Sequence, residues 1–166
     1  MHSVWLGLGA NIGDRSLNIG TAVEALAEFF NDIVVSPYYE TAPRDFMNQP
    51  DFLNAVVRGG TELHPLDVLN KIHIIEAIGG RNRDTSQKKG PRTIDIDILL
   101  FDDLCGTFTS DDGKNLTIPH ISMAERLFVL KPLLDLDSDI RDPRDGILWK
   151  LKASHLSDQR VKLYRK

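Results

Sequence analysis

The chain has 166 residues, of which 42% are hydrophobic and 27% are charged, and these values are ordinary for a globular protein. Its formal net charge of -4 argues against a protein that coats nucleic acid or an anionic membrane, although local basic clusters can still bind phosphate. The single cysteine, Cys105, excludes an internal disulfide, and no Cys/His cluster indicates structural zinc. No apolar run in the sequence is long enough to span a bilayer.

Length and composition predict one domain over residues 1–166, with a core at about 3–136 and a C-terminal extension at about 137–166. The N-terminus is too glycine-rich for a signal peptide. We therefore expect a monomeric, cytoplasmic protein that contacts neither nucleic acid nor membrane.

The first half of the chain alternates strand and helix patterns. A strand from Val4 to Leu8 ends in a glycine-punctuated turn, which either approaches an anion through its backbone amides or is a simple turn. Asp14 or Ser16 can begin a helix with an apolar stripe, and residues 33–41 read as one strand. Residues 44–51 form a loop, and a strand follows at 52–62.

The second half begins with a helix that starts at Pro65 and stops at Gly79. His73 and Glu76 are expected on its solvated face, and the basic run at 80–90 is typical of an exposed loop. A hairpin should turn at residues 111–113, and a third helix capped by Ser122 should end near Leu130 because Pro132 follows. The charged pattern of residues 137–166 predicts a short helix or strand packed on the outside of the domain.

Two carboxylates stand out in the strand at residues 94–100. Side chains alternate along a strand, so Asp95 and Asp97 share one face while the neighbouring isoleucines share the other. Paired carboxylates on a rigid strand suit Mg²⁺, which prefers one or two of them together with water and phosphate oxygens. The alternative is an edge strand with a solvated polar face. The Gly-Pro-Arg just upstream and the basic run before it favour the metal site.

The order of strands and long helices is β-α-β-β-α-β. This order predicts an α+β protein of the ferredoxin-like, split βαβ class, with an antiparallel sheet, helices on one face and a C-terminal helical extension. The other face of the sheet would be free to hold ligands.

Six ordered blocks stand out along the chain: LGANIGD at 8–14, YETAP at 39–43, QPDFLNAV at 49–56, GRNR at 80–83, GPRTIDIDILL at 90–100 and IPH at 118–120. Together these blocks resemble the 6-hydroxymethyl-7,8-dihydropterin pyrophosphokinases of folate biosynthesis. The resemblance implies transfer of pyrophosphate from ATP to the hydroxymethyl group of 6-hydroxymethyl-7,8-dihydropterin, with release of AMP. It also implies the ferredoxin-like fold.

The resemblance further implies roles for individual residues. Asp95 and Asp97 would together hold two Mg²⁺ ions, and the catalytic set would be Asp95, Asp97, Arg81 and Arg92. The pterin would be bound by Thr41, Ala42, Arg44, Phe52, Asn54, Asp95 and Phe128, with the two phenylalanines around the flat ring. The co-substrate ATP would be bound by His73, Arg83, Lys88, Arg92, Ile98, Thr117, His120 and Arg126.

Some positions depart from the family pattern. Lys89 stands where an aromatic residue is usual, and Asn115 and His73 stand where Arg and Gln are common. We expect an active enzyme with altered nucleotide affinity. Two other functions remain open from the residues alone: a two-metal phosphodiesterase or nuclease, and a ferredoxin-like binding module without catalysis.

Overall fold

The computed structural model describes residues 1–43, 48–80 and 92–165. The described strands are His2–Ala10 (β1), Asn31–Val35 (β2), Tyr39–Thr41 (β3), Phe52–Thr61 (β4), Asp95–Phe101 (β5), Gly106–Thr109 (β6), Asn115–Ile118 (β7) and Lys162–Leu163 (β8). The described helices are Arg15–Leu26 (α1), Pro65–Ile78 (α2), Leu127–Leu136 (α3) and Trp149–Ser154 (α4), with one 3₁₀ turn at Met123–Glu125.

The main sheet has the strand order β5-β1-β4-β3-β8, and β2 also pairs with β4. The strand pairs are antiparallel, with β1 between β4 and β5. The α+β, ferredoxin-like prediction is confirmed. Strand β5 occupies one edge of the sheet, so the predicted acid pair lies on an edge strand.

Each face of the sheet packs against its own helices. One core joins the sheet to α1 and α2 and contains Ile19, Ile72 and Ile96. The second core joins the opposite face to α3 and α4 and contains Leu99 and Trp149. The C-terminal helices therefore cover part of the face that we expected to be free, and the remaining part holds the site.

The segment at 33–41 is two strands rather than the single strand predicted. Pro37 has no N–H to continue the ladder, and the Ser36 hydroxyl accepts a hydrogen bond from the Val56 N–H at 2.9 Å in place of a backbone carbonyl. Strands β2 and β3 consequently pair with β4 on either side of this break.

The third helix also differs from the prediction. Ser122 makes no capping bond from its side chain, α3 starts at Leu127, and it continues through Pro132. A proline inside a helix costs about 3 kcal/mol. The side chains of Val129, Leu130 and Leu133 are buried around it, and each contributes about 1.5–3 kcal/mol, so burial outweighs the lost hydrogen bond.

The C-terminal residues are part of the packing rather than an outer layer. Trp149 is fully buried in the second core, and Asp142 is fully buried with ion-pair partners Arg144 and Lys152. Strand β8 extends the sheet by pairing with β3. Within the described residues, no helix is long and apolar enough to cross a membrane.

Candidate active site

A cavity of about 400 Å³ opens between the sheet and α3, at the end where β1, β4 and β5 meet. Its walls bring together residues from five elements and from the segments between them. Those among the predicted site residues are Thr41, Ala42, Phe52, Asn54, Arg92, Asp95, Asp97, His120, Arg126 and Phe128.

The two aspartates project into the cavity opposite glycines of β1. The strand register places Gly9 across from Asp95 and Gly7 across from Asp97. The side chains of Ile94, Ile96 and Ile98 lie in the core with α1 and α2, so the alternation predicted from the sequence is confirmed. Because a glycine has no side chain, nothing from β1 covers either carboxylate.

Burial and the repulsion between the two carboxylates both disfavour the ionised form of Asp97. Burial, followed by the nearby Asp95 carboxylate, raises the pKa of Asp97 to about 6 even though Arg126 opposes the shift. The Arg92 Nη1 lies 2.5 Å from Asp95 Oδ2, and the Arg126 Nη1 lies 3.8 Å from Asp97 Oδ2. A cation bound to both carboxylates would relieve the repulsion between them.

His120 completes this side of the cavity as a neutral imidazole. Burial, and then the positive charge of Arg126, lowers the pKa of His120 to about 4. Its Nε2 lies 3.9 Å from Asp97 Oδ2, but at neutral pH this is not an ion pair. Its Nδ1 accepts a hydrogen bond from the Ser122 N–H at 3.2 Å, so the uncharged ring carries its proton on Nε2, which can donate to a ligand.

The donor set fits magnesium better than zinc or calcium. In the described part of the chain, no group of three or more His, Cys, Asp or Glu side chains converges on one point. Two carboxylates with open space beside them match a cation that keeps water and phosphate ligands. Asp95 and Asp97 are therefore the residues that could hold it.

Two phenylalanines form the apolar part of the cavity. The Arg92 guanidinium carbon lies 5.8 Å from the ring centre of Phe52, and that of Arg126 lies 5.8 Å from the ring centre of Phe128. Each arginine thus contacts one aromatic ring and one aspartate. A flat ligand at these rings would lie next to the charged groups.

Asn54 is a buried polar residue with a fixed orientation. Its Nδ2 donates to Thr41 Oγ1 at 2.9 Å and to the Tyr39 carbonyl oxygen at 3.3 Å. A carbonyl can only accept, so the NH₂ group must face it. Its carbonyl oxygen lies on the other side of the amide, near Gly9, which also lines the cavity.

Comparison with known proteins identifies the family. Residues 5–138 match the family model described as 7,8-dihydro-6-hydroxymethylpterin-pyrophosphokinase, or HPPK. The chain belongs to the HPPK family. It is 40% identical over 144 residues to the 2-amino-4-hydroxy-6-hydroxymethyldihydropteridine pyrophosphokinase of Aquifex aeolicus, covering 86% of this chain and 85% of that protein. It is 39% identical over 156 residues to the enzyme of the same name from Pseudomonas aeruginosa, covering 93% of this chain and 92% of that one.

Other HPPK relatives are longer proteins. The chain is 38% identical over 162 residues to the folic acid synthesis protein fol1 of Schizosaccharomyces pombe, covering 96% of this chain but 21% of that protein. It spans 39% of the bifunctional protein FolKE of Lactococcus lactis. A crystal structure of Plasmodium falciparum HPPK-DHPS superposes with a TM-score of 0.77 at 16% identity, over 95% of this chain and 43% of that one, which shows a shared fold.

The other residues discussed from the HPPK resemblance fall into two groups. Arg44, Arg81, Arg83, Lys88 and Lys89 are outside the described residues. The structure does not bring His73, Ile98 or Thr117 into the cavity; they lie on α2, β5 and β7. The Ile98 side chain is 2% exposed and belongs to the core, so only its backbone can reach a ligand.

Asn11 does not line the cavity but supports Arg92, which does, and the sequence analysis did not single it out. Its Oδ1 accepts from the Arg92 N–H at 2.8 Å, and its backbone N–H donates to the Arg92 carbonyl at 3.1 Å. Its Nδ2 donates to Gln49 Oε1 at 3.0 Å and to the Pro50 carbonyl at 3.1 Å. The glycine-punctuated turn therefore holds the segment at Gln49 and Pro50 and the segment at Arg92. The backbone N–H of Asn11 bonds to the Arg92 carbonyl and not to an anion.

The prediction that Glu76 lies on a solvated helix face is wrong. Glu76 is 1% exposed, and its Oε1 accepts a hydrogen bond at 2.9 Å from the N–H of Ile96, between the two aspartates. The sequence did contain a signal that Glu76 is buried, because Glu76 follows Val68 and Ile72 at helical spacing on the apolar face. His73, by contrast, is only half-buried.

Proposed function

We propose that this chain transfers the pyrophosphoryl group of ATP to 6-hydroxymethyl-7,8-dihydropterin. The hydroxymethyl oxygen bonds to the β-phosphorus of ATP, the bond from that phosphorus to the oxygen bridging the α-phosphate breaks, the hydroxyl proton is released, and AMP leaves. The observation that carries the proposal is the pair Asp95 and Asp97, flanked by Arg92 and Arg126, in a cavity with two phenylalanines.

The pterin is placed between Phe52 and Phe128. Both rings line the cavity, and stacking on aromatic faces suits a flat heterocycle. The Asn54 carbonyl oxygen accepts from an N–H of the pterin, since its own NH₂ is held by Thr41 and Tyr39. Thr41 and Ala42 line the same wall, and Asp95 lies beside the attacking hydroxyl. Arg44 is assigned to this site by the family resemblance alone.

The nucleotide is placed across β5, with its phosphates at the acid pair. Arg92 and Arg126 neutralise charge that spreads over the phosphate oxygens, and the neutral His120 offers a hydrogen bond. The Ile96 N–H points away from β1, towards Glu76, so by strand alternation the Ile98 backbone also points outward from the sheet edge. That edge offers the base a backbone donor and a backbone acceptor, and His73 and Thr117 are assigned to the nucleotide by resemblance. Arg81, Arg83 and Lys88 are assigned to phosphate contacts or catalysis by resemblance.

Asp95 and Asp97 are assigned as the ligands of two Mg²⁺ ions. When bound, the ions supply charge neutralisation and in-line alignment of the phosphates. The chain's own contribution is to hold the two carboxylates on one rigid strand face and to set arginines on both sides of them. The number of ions stays a prediction.

The decisive experiment combines the protein with ATP, Mg²⁺ and 6-hydroxymethyl-7,8-dihydropterin and follows the nucleotide products. Formation of AMP only when the pterin is present is expected. The double variant Asp95→Ala, Asp97→Ala should lose turnover, whereas a matched double variant in the exposed hairpin turn, Asp111→Ala, Asp112→Ala, should keep it.

Other product patterns identify the alternatives. Hydrolysis of phosphodiesters without pterin would indicate a two-metal phosphodiesterase or nuclease, and ligand binding without turnover would indicate a binding module. Production of ADP, or full turnover by the Asp95→Ala, Asp97→Ala variant, would overturn the proposal.

The organisation of the chain adds further predictions. We predict that the chain is a single domain over 1–166, that it is monomeric and that it is located in the cytoplasm. We also predict an altered nucleotide affinity due to His73, Lys89 and Asn115.

A further inference from the structure

Arg15, the first residue of α1, contacts three separate parts of the chain. Its Nη1 donates to the carbonyl oxygen of Asp51 at 2.8 Å, and its Nη2 lies 2.6 Å from Glu40 Oε1. Its guanidinium carbon lies 5.9 Å from the ring centre of Tyr164. The Arg15 side chain is 23% exposed, so these contacts are partly shielded from water.

The first two contacts meet at one end of the β3–β4 pair. Asp51 precedes Phe52, Glu40 precedes Thr41, and the strand register places Thr41 directly across from Phe52. Thr41 and Phe52 both line the cavity. From outside the cavity, Arg15 therefore connects the backbone of Asp51, next to Phe52, to the side chain of Glu40, next to Thr41.

The third contact comes from the C-terminal segment. Lys162–Leu163 forms β8, which pairs with Tyr39 and Glu40 of β3. The Tyr164 N–H donates to the Tyr38 carbonyl at 2.8 Å, which places its ring beside Arg15. These residues lie beyond the 5–138 segment that the family model matches. The last strand of the chain thus supports the same wall.

The geometry points to Arg15, braced by Tyr164, as a positioning residue for the pterin wall formed by Thr41 and Phe52. This inference rests on the proposed function, since it assigns that wall to pterin. Arg15 does not line the cavity and acts through its neighbours. A charge-assisted contact to Asp51 fixes where β4 begins, and the ion pair to Glu40 fixes β3 beside it. The nucleotide side of the cavity, on β5 and His120, is built from other segments.

The test separates pterin binding from nucleotide binding. Dissociation constants for the dihydropterin are measured by fluorescence titration with an unreactive ATP analogue and Mg²⁺ present. Dissociation constants for the analogue are measured in a separate titration without the dihydropterin. Arg15→Met should weaken pterin binding about tenfold, as expected for a lost charge-assisted contact, and should change analogue binding less than about twofold. Turnover should show a raised KM for the pterin with a much smaller change in kcat.

Three further variants sharpen the comparison. Arg15→Lys keeps the charge but not the two-pronged geometry, so it should restore part of the affinity. Tyr164→Leu should weaken pterin binding in the same direction but less. Arg58→Met is the matched control, because Arg58 also lies over an aromatic ring, 5.5 Å from the centre of Trp5, but at the other end of β4. It should leave both constants unchanged.

The outcomes are distinguishable. If the wild-type protein neither binds the pterin nor forms AMP, the proposed function fails. If the wild type is active and Arg15→Met binds the pterin normally, the positioning role of Arg15 is refuted. Equal loss of pterin and analogue binding, accompanied by a lower melting temperature, would also refute it, because that pattern indicates general destabilisation.

Discussion

Replacing Asp97 by asparagine should make the metal-free protein more stable while removing its activity. Burial and the Asp95 carboxylate raise the pKa of Asp97 from 3.8 to about 6, so folding disfavours the ionised form. The cost is absent below pH 3.8, grows as the pH rises and is complete above the folded pKa. The asparagine side chain of the variant would carry no charge at any of these pH values.

The shift sets the size of the effect. About two pKa units correspond to an upper limit of about 3 kcal/mol. Because 40% of the Asp97 side-chain surface is exposed, solvent screening reduces this to about 1–2 kcal/mol. For a chain of this length, that difference raises the melting temperature by about 2–8 °C.

The assay is thermal unfolding of wild type and Asp97→Asn in EDTA at pH 8 and near pH 4. The variant should melt higher at pH 8, and most of the difference should vanish near pH 4. Added Mg²⁺ and ATP should raise the melting temperature of the wild type more than that of the variant, and AMP formation should be lost. Asp158→Asn, at an exposed position, is the control. A variant that is less stable than wild type at pH 8, or a difference that does not depend on pH, would refute the reasoning.

Substitutions at three other positions test separate parts of the structure. Asn54→Leu should weaken pterin binding about tenfold or more in a titration, because it removes the carbonyl acceptor; unchanged affinity would contradict the assigned orientation. Glu76→Met should lower the free energy of unfolding by about 1–3 kcal/mol by leaving the Ile96 N–H unpaired, whereas Glu76→Gln keeps an acceptor and should lose less in chemical denaturation. Although burial raises it, hydrogen bonds from Arg144 and Lys152 hold the pKa of Asp142 at about 2, so Asp142→Asn should cost about 2 kcal/mol at pH 7, and the cost should disappear as the pH falls from 3.8 through 2. Equal losses at pH 7 and pH 2 would contradict the last prediction.

The elements that follow from local pattern were predictable from the sequence. Asp14 caps α1 by accepting from the Leu17 N–H, Pro65 starts α2, and the hairpin turns near Gly113 as expected. Each depends on residues within a few positions of one another. Pro132 was misjudged because the burial that keeps α3 intact comes from distant residues. Trp149 was missed for the same reason, since its core partners belong to the sheet and α3.

The parts of the site that depend on side-chain alternation along a strand or on family resemblance were predictable from the sequence. The parts that depend on buried polar contacts were less so. Alternation placed Asp95 and Asp97 on one face, and resemblance placed Phe52 and Phe128 with them in one cavity. Nothing local indicates that Asn11 bonds to Arg92, which is far along the chain. Such contacts arise only when the sheet has brought the turn and the loop together.

Strand β5 shows how one segment can carry both the stability and the chemistry. The isoleucines at 94, 96 and 98 are at most 3% exposed, and burial of each contributes about 1.5–3 kcal/mol. Together they exceed the cost of ionised Asp97 on the opposite face, which is about 1–2 kcal/mol. Among the described residues, no strand pairs with the outer side of the β5 backbone, and Glu76 occupies part of that side at Ile96. A strand held from beneath by apolar packing and from the side by a buried carboxylate can present two like charges to a ligand without moving away from β1.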